Sequence, residues 1–190
     1  MRKSIASFVA LAAAALSSTP AFALHEFPTV GDRGDAGAHA ECPEGKQLVG
    51  FSGRTGTWID SVQMVCAAPG AQPVATGARY GGAGGQAVDS FCRRGWQMNA
   101  IFLNMTTHNA RVASISYTCK SVQTGETQPF TFGNGSYVAR CPGFGVGNCA
   151  TTDNTYQPCA ADEVPIGFNA RYGKDVNAFG LICGRVKGAR

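Results

Sequence analysis

Five consecutive residues, Gly56-Thr57-Trp58-Ile59-Asp60, set a glycine, a tryptophan and a carboxylate side by side. Glycine lets the backbone turn tightly. An ionised carboxylate accepts strong hydrogen bonds on both oxygens, and an indole joins an apolar face to a polar edge. This is equipment for hydrogen-bonded contact rather than for breaking bonds. Catalysis asks for a paired acid and base, a nucleophile with its base, or a metal. Asp89, Asp153, Asp162 and Glu163 are the other carboxylates in view, and their spacing pairs no two of them. No G-x-S-x-G string occurs.

The eight cysteines, Cys42, Cys66, Cys92, Cys119, Cys141, Cys149, Cys159 and Cys183, form the second chemically competent set. Metal binding favours close pairs such as C-x-x-C with nearby histidines. Here no such pair exists, and His25, His39 and His108 lie in unrelated contexts. An even count in an exported chain instead reads as a disulfide framework. No metal or cofactor is expected.

The elements that position these residues emerge when the chain is aligned with itself. A shift of 117 residues carries Cys42 onto Cys159, Gly50-Phe51 onto Gly167-Phe168, Arg54 onto Arg171, Gly56 onto Gly173, Asp60 onto Asn177 and Cys66 onto Cys183. A third, more divergent copy runs from Cys92 to Cys119, with three extra residues assigned to its tip between Asn104 and Asn109. Each copy reads as a β-hairpin with a polar tip. The return strands place Val62, Met64 and Cys66, then Ile115, Tyr117 and Cys119, then Phe179, Leu181 and Cys183 on one face, the period of two that a half-buried strand requires. Bridges joining the ends of each copy would be Cys42–Cys66, Cys92–Cys119 and Cys159–Cys183, leaving Cys141–Cys149. Eight cysteines allow 105 pairings, so the repeat makes this choice.

Glycine-rich stretches lie before each hairpin: Gly31 to Gly34, Arg79 to Gly85, and Phe132 to Gly135. They read as strands with close backbone approach or bulges, because no helix or Lys-Ser/Thr follows to make a phosphate loop. The expected units are therefore about 31–66, 79–119 and 131–183, within one domain over 41–190. Residues 24–40 form a polar arm with a short first strand. The 25 glycines also argue for an all-β chain, since each would cost a helix about 1 kcal/mol relative to alanine.

Arg2 and Lys3, the apolar run Ile5 to Leu16 and Ala21-Phe22-Ala23 form the three regions of a secretory signal peptide, residues 1–23. That apolar run is short for a membrane span. The mature chain is expected to be secreted, extracellular or periplasmic. Loss of Arg2 and Lys3 takes the formal net charge from +4 to +2, and no basic block is interleaved with aromatics, which argues against nucleic acid as a partner. Arg33-Gly34-Asp35 is formally an adhesion triplet, but nothing around it presents it on a hairpin tip. Asn104-Met105-Thr106 and Asn134-Gly135-Ser136 fit the N-glycosylation pattern.

Three units of glycine-rich strand plus hairpin resemble the β-prism of three Greek-key sheets found in jacalin-related lectins. The resemblance is sharpest in Gly50-Phe51-x-Gly53-x-x-Gly56-x-Trp58-Ile59-Asp60-x-x-x-Met64, similar to the G-x-x-x-D string of their sugar site. The pattern of three stapled units and four bridges resembles the vitelline membrane outer layer protein I family, though that family's acidic-Thr-Ala-Leu-Asn tip is absent. The lectin resemblance implies that Thr57 and Trp58 offer backbone amides to sugar hydroxyls and that Asp60 accepts from two of them. It implies that a Gly-Gly loop, here Gly81-Gly82, completes the site. A second, weaker site would use Gly173, Lys174, Asp175 and Asn177. The middle tip, Asn109 to Ala113, has neither glycine nor acid and is expected to hold none.

The function implied is a non-catalytic, secreted carbohydrate-binding protein whose partners are glycans or glycoconjugates, with a homo-oligomer favoured by the gain from multivalency. The alternative is a structural or interaction protein of an envelope or extracellular matrix. A glycan-active enzyme comes third.

Overall fold

The computed structural model describes residues 24–106, 111–134 and 155–186. The signal-peptide segment, the Cys141–Cys149 bridge, and the positions of His108, Asn109, Ala110 and Asp153 lie outside them. Among the described residues there is no helix. In chain order the strands are β1 (His25–Glu26), β2 (Val30–Gly31), β3 (Ala36–Glu41), β4 (Gln47–Thr55), β5 (Ile59–Ala67), β6 (Val74–Gly81), β7 (Gln86–Phe91), β8 (Trp96–Met105), β9 (Val112–Ser121), β10 (Thr127–Gly133), β11 (Tyr156–Pro158), β12 (Val164–Tyr172) and β13 (Val176–Gly184).

They form three sheets, each built on one hairpin. The first has the order β6-β5-β4-β7 and the second β10-β9-β8-β11. In both, three strands meander and the fourth returns beside the first, a Greek key. The third runs β1-β13-β12-β3, with β2 also pairing β13. Its flanking strands come from the start of the described chain, so the polar arm supplies three strands rather than one. The glycine-rich stretches, read from sequence as opening the hairpin that follows them, pair instead with the hairpin before them. Thus β6 joins β5, β10 joins β9, and β2 closes the circle on β13.

The repeat aligned from sequence is visible in backbone detail. Every hairpin has a register shift next to its tip, at Arg54/Thr55, Asn104/Met105 and Arg171/Tyr172. In the middle copy the strand runs on to Met105, so Asn104 belongs to the ladder opposite Ser114 and not to the tip. Its side chain is buried and donates to the Ser114 and Ser116 hydroxyls at 2.9 and 3.0 Å, which commits the asparagine of the first glycosylation triplet to the sheet.

The three sheets enclose one core. All nine residues assigned to the inner face of the return strands are buried. Phe51 is the hub: its ring lies 5.7 to 6.4 Å from Phe132, Phe168 and Phe179 and 5.9 Å from Tyr117, so one side chain from the first sheet meets both others. Rings at these separations add to the stabilisation from burial alone. The Tyr117 hydroxyl is satisfied by Ser90 Oγ at 2.7 Å.

The bridges Cys42–Cys66, Cys92–Cys119 and Cys159–Cys183 are present. Their job differs from stapling a hairpin. Cys42 follows β3 of the third sheet and bonds to β5 of the first; Cys92 follows β7 of the first and bonds to β9 of the second; Cys159 follows β11 of the second and bonds to β13 of the third. Each bridge ties one sheet to the next, and together they close a ring.

Candidate functional site

At one end of the ring the three hairpin tips meet. Each tip closes with the same backbone hydrogen bond: Gly56 N–H to the Trp58 carbonyl at 2.8 Å, Thr106 N–H to the Arg111 carbonyl at 3.0 Å, and Gly173 N–H to the Asp175 carbonyl at 3.0 Å. Trp58, Arg111 and Asp175 therefore occupy equivalent positions on three different sheets. They converge. Arg111 Nη1 lies 2.5 Å from Asp175 Oδ2, and the Arg111 guanidinium carbon lies 5.7 Å from the centre of the Trp58 ring. Asp175 is buried and Trp58 half-buried, while Gly56 and Thr57 remain exposed.

Glycine-rich turns flank the tips, and their glycines have distinct work. Gly81, with φ +113°, presses its backbone on the start of β5, where any Cβ would collide with the Asp60 carbonyl oxygen. The next amide, Gly82 N–H, donates to that carbonyl at 2.8 Å. The same arrangement recurs with Gly31 and Asp32 on Asn177, and with Gly133 and Asn134 on Ala113, the donors lying 3.2 Å from the carbonyl in each. Gly81 and Gly82 thus hold the Asp60 backbone. The glycines nearest the Asp60 carboxylate are Gly84 and Gly85, the latter with a Cβ position only 2.5 Å from Oδ2, with Gly56 at 3.4 Å. Arg54 fixes that turn by donating from Nε to the Gly84 carbonyl and from Nη2 to the Gly85 carbonyl, both at 2.7 Å.

Asp60 is consequently lodged between the tip and the turn. Its Oδ2 is buried with no hydrogen-bond partner among the described residues. Burial pushes the carboxyl above its usual range and the Asp175 charge adds to the shift, while Arg54 and the Asp60 and Gly56 backbone amides oppose it. The Thr57 and Trp58 amides make no hydrogen bond among the described residues.

The third tip is arranged differently. Lys174 is exposed, and its carbonyl packs against Gly82 of the first sheet's turn, so the two tips touch. Asn177 stands where the first tip has Asp60. A carboxylate is nevertheless present: Asp35, exposed on the turn between β2 and β3, brings Oδ2 within 2.6 Å of where a Gly173 Cβ would lie. Asp35 belongs to the Arg33-Gly34-Asp35 triplet, which therefore packs beside a tip.

The sequence reading placed Gly56, Thr57, Trp58 and Asp60 together, and the structure brings them together with Gly81 and Gly82. It overlooked Gly84, Gly85, Arg54, Asp35 and above all Arg111. The signal for Arg111 was available: the middle tip aligns Arg111 with Trp58, but a template requiring glycine and acid set that tip aside. Elsewhere, Asp162 is ion-paired to Arg185, and Glu163 lies 3.7 Å from His25. No group of three or more metal-competent side chains gathers among the described residues.

Solved structures with the same arrangement of sheets were found. Wild-type Malaysian banana lectin superposes with a TM-score of 0.55 at 16% identity, over 85% of this chain and 98% of that one. A mannose-binding jacalin-related lectin from Ananas comosus gives 0.54 at 19%, over 84% and 96%. Artocarpin, a lectin with mannose specificity, gives 0.51 at 14%, again over 84% and 96%. The fold is the jacalin-type β-prism. No protein-family profile matches the sequence, and no curated protein matches it either. At these identities the likeness is one of fold. Among the described residues the first tip presents a buried carboxylate oxygen without a partner, two backbone amides without one, and a half-buried indole.

Proposed function

We propose that the chain is a secreted carbohydrate-binding protein that holds a sugar at its first tip, through Asp60 and the Thr57 and Trp58 amides beside Gly81 to Gly85. One observation carries this reading: a carboxylate oxygen of Asp60 is buried without a hydrogen-bond partner among the described residues, between glycines that leave no side chain over it. Leaving a buried polar group unpaired costs roughly 1–3 kcal/mol. A sugar hydroxyl supplies the missing donor. The mannose-binding lectins that share the β-prism support the substrate class. The third tip is a second site of Gly173, Lys174 and Asn177, with the Asp35 carboxylate beside Gly173 and Asp175 withdrawn into its ion pair. Export is supported by six cysteines joined in bridges, the state of an oxidising compartment. Oligomerisation would add avidity to single weak sites.

The test is calorimetric titration of the mature protein with methyl α-mannoside, followed by a glycan array. Binding by the wild type that disappears in Asp60→Ala, with thermal stability retained, is the expected result. A variant that binds normally would remove the first tip from the reading.

A second reading, a structural or interaction protein, draws on the contacts of Arg111 with Asp175 and with the Trp58 ring. Groups that pair with one another close an end of the molecule without a ligand. Under that reading no glycan on the array is retained.

A further inference from the structure

Three equivalent positions on a pseudo-threefold axis would place three copies of one side chain in the same space. This chain fills them with an aromatic ring, a cation and an anion. In Trp58, Arg111 and Asp175 each sheet gives one member of a single contact network at the tips. The cation sits between the other two, 2.5 Å from the carboxylate and 5.7 Å from the ring centre.

We infer that Arg111, supplied by the middle tip, is a positioning residue for the first tip: it fixes the Trp58 ring and neutralises Asp175, so that Asp60 faces no unpaired carboxylate. Asp60 and Asp175 are close enough to feel each other's charge, and Asp175 is the more buried of the two. Two carboxylates sharing a low-dielectric region do not both stay ionised without a cation nearby. The charged groups facing Asp60 are few. Arg54 reaches from its own hairpin, but its Nε and Nη2 are committed to Gly84 and Gly85. Lys174 turns an exposed side chain to solvent and packs by its backbone carbonyl. Among the described residues Arg111 is the cation bonded to Asp175. The planar guanidinium matters as well, because a flat cation covers an indole face as a compact ammonium does not.

Arg111 of the middle tip thus completes its neighbour's site. The sugar arm of the test rests on the glycan reading, and the other arms do not. The carboxyl carbon of Asp60 and the indole N–H of Trp58 are followed by NMR through a pH titration of the mature protein. In Arg111→Gln the Asp60 midpoint is expected to rise by about half a pH unit or more, and the indole resonance to move. Arg111→Lys restores the midpoint but not the indole position. Affinity for methyl α-mannoside falls about tenfold in Arg111→Gln at pH 7, and recovers in part with lysine. A wild type that does not bind the mannoside defeats the glycan reading and leaves the NMR arms to judge Arg111. An unmoved midpoint and unmoved indole in Arg111→Gln overturn the inference. Should that variant not fold, Asp175→Asn decides: the Asp60 midpoint must fall, and a constant one rejects the idea.

Discussion

At the first tip the acid, Asp60, rises from the hairpin itself and lies under the glycines of the opposing turn. At the third, the hairpin carries Asn177 and the acid, Asp35, comes from the opposing turn and stands in solvent. The backbone is the same in both: a glycine-closed tip, a register shift one residue away, and a positive-φ glycine jammed on the return strand. The difference teaches that the scaffold holds a carboxylate near the tip glycine from either side. The side decides how buried that acid is. Burial raises the pKa of Asp60, the more enclosed of the two.

The comparison can be broken most forcefully at the bridges. Removing Cys42–Cys66 or Cys159–Cys183 by paired serine substitutions should each lower stability by about 2–5 kcal/mol in urea unfolding. Unequal losses would mean that the first and third sheets are not equivalently tied. Next comes the glycine pressed on each return strand. Gly81→Ala and Gly31→Ala each force a Cβ into a carbonyl at positive φ, an expected loss of roughly 1–3 kcal/mol in thermal unfolding. A harmless Gly31→Ala would show that the third turn yields where the first does not.

The acids themselves should separate the tips. A carboxyl whose folded pKa lies above its unfolded value withholds stability as it ionises, so stability falls as pH rises from the ordinary carboxylate range through the raised value. Asp60→Ala should therefore gain no more than about 0.5 kcal/mol at pH 7, because water screens a half-exposed carboxyl, with the gain vanishing in acid, while losing sugar binding. Asp35→Ala removes an exposed carboxylate at the other tip and should leave binding of methyl α-mannoside at the first tip unchanged. Melting curves from pH 3 to pH 7 check the first variant, and calorimetric titration checks both.

The smallest effect lies on the strands behind the tips. By register, Asp89 of β7 corresponds to His39 of β3. His39 Nε2 lies 2.8 Å from Glu41 Oε1 and Nδ1 2.8 Å from Asn169 Oδ1, both acceptors for its ring N–H groups, and Glu41 foremost raises its pKa. A raised histidine pKa gives stability that is full below the unfolded value and lost as pH rises through the folded one. Glu41→Gln should remove that dependence between pH 5 and pH 8. The change is expected to stay below about 0.5 kcal/mol, because these groups are half exposed.

Much of this was legible in the residues, for a physical reason. A buried strand face enforces apolar alternation, and three copies of it fixed the hairpins and the described bridges through Val62-x-Met64-x-Cys66 and its counterparts. What stayed hidden is what no local pattern encodes. The partner of a glycine-rich strand depends on which sheet edge is free, so β6 and β10 were assigned forward in the chain when they fold back. The direction of each bridge, between sheets and not within one, follows from that same pairing. Arg111 was hidden more deeply. Its value comes from Trp58 and Asp175, 53 and 64 residues away, and only the meeting of the tips gives it a role.

The third sheet joins strands near residue 25 to strands that end at Gly184. Its assembly must therefore wait on the chain's own delivery. As the polypeptide is synthesised, β1 to β3 emerge before β12 and β13, the strands whose edges they join. Contacts this far apart in sequence are slow to form. For that interval the early strands are open edges, the part of the molecule most in need of a chaperone.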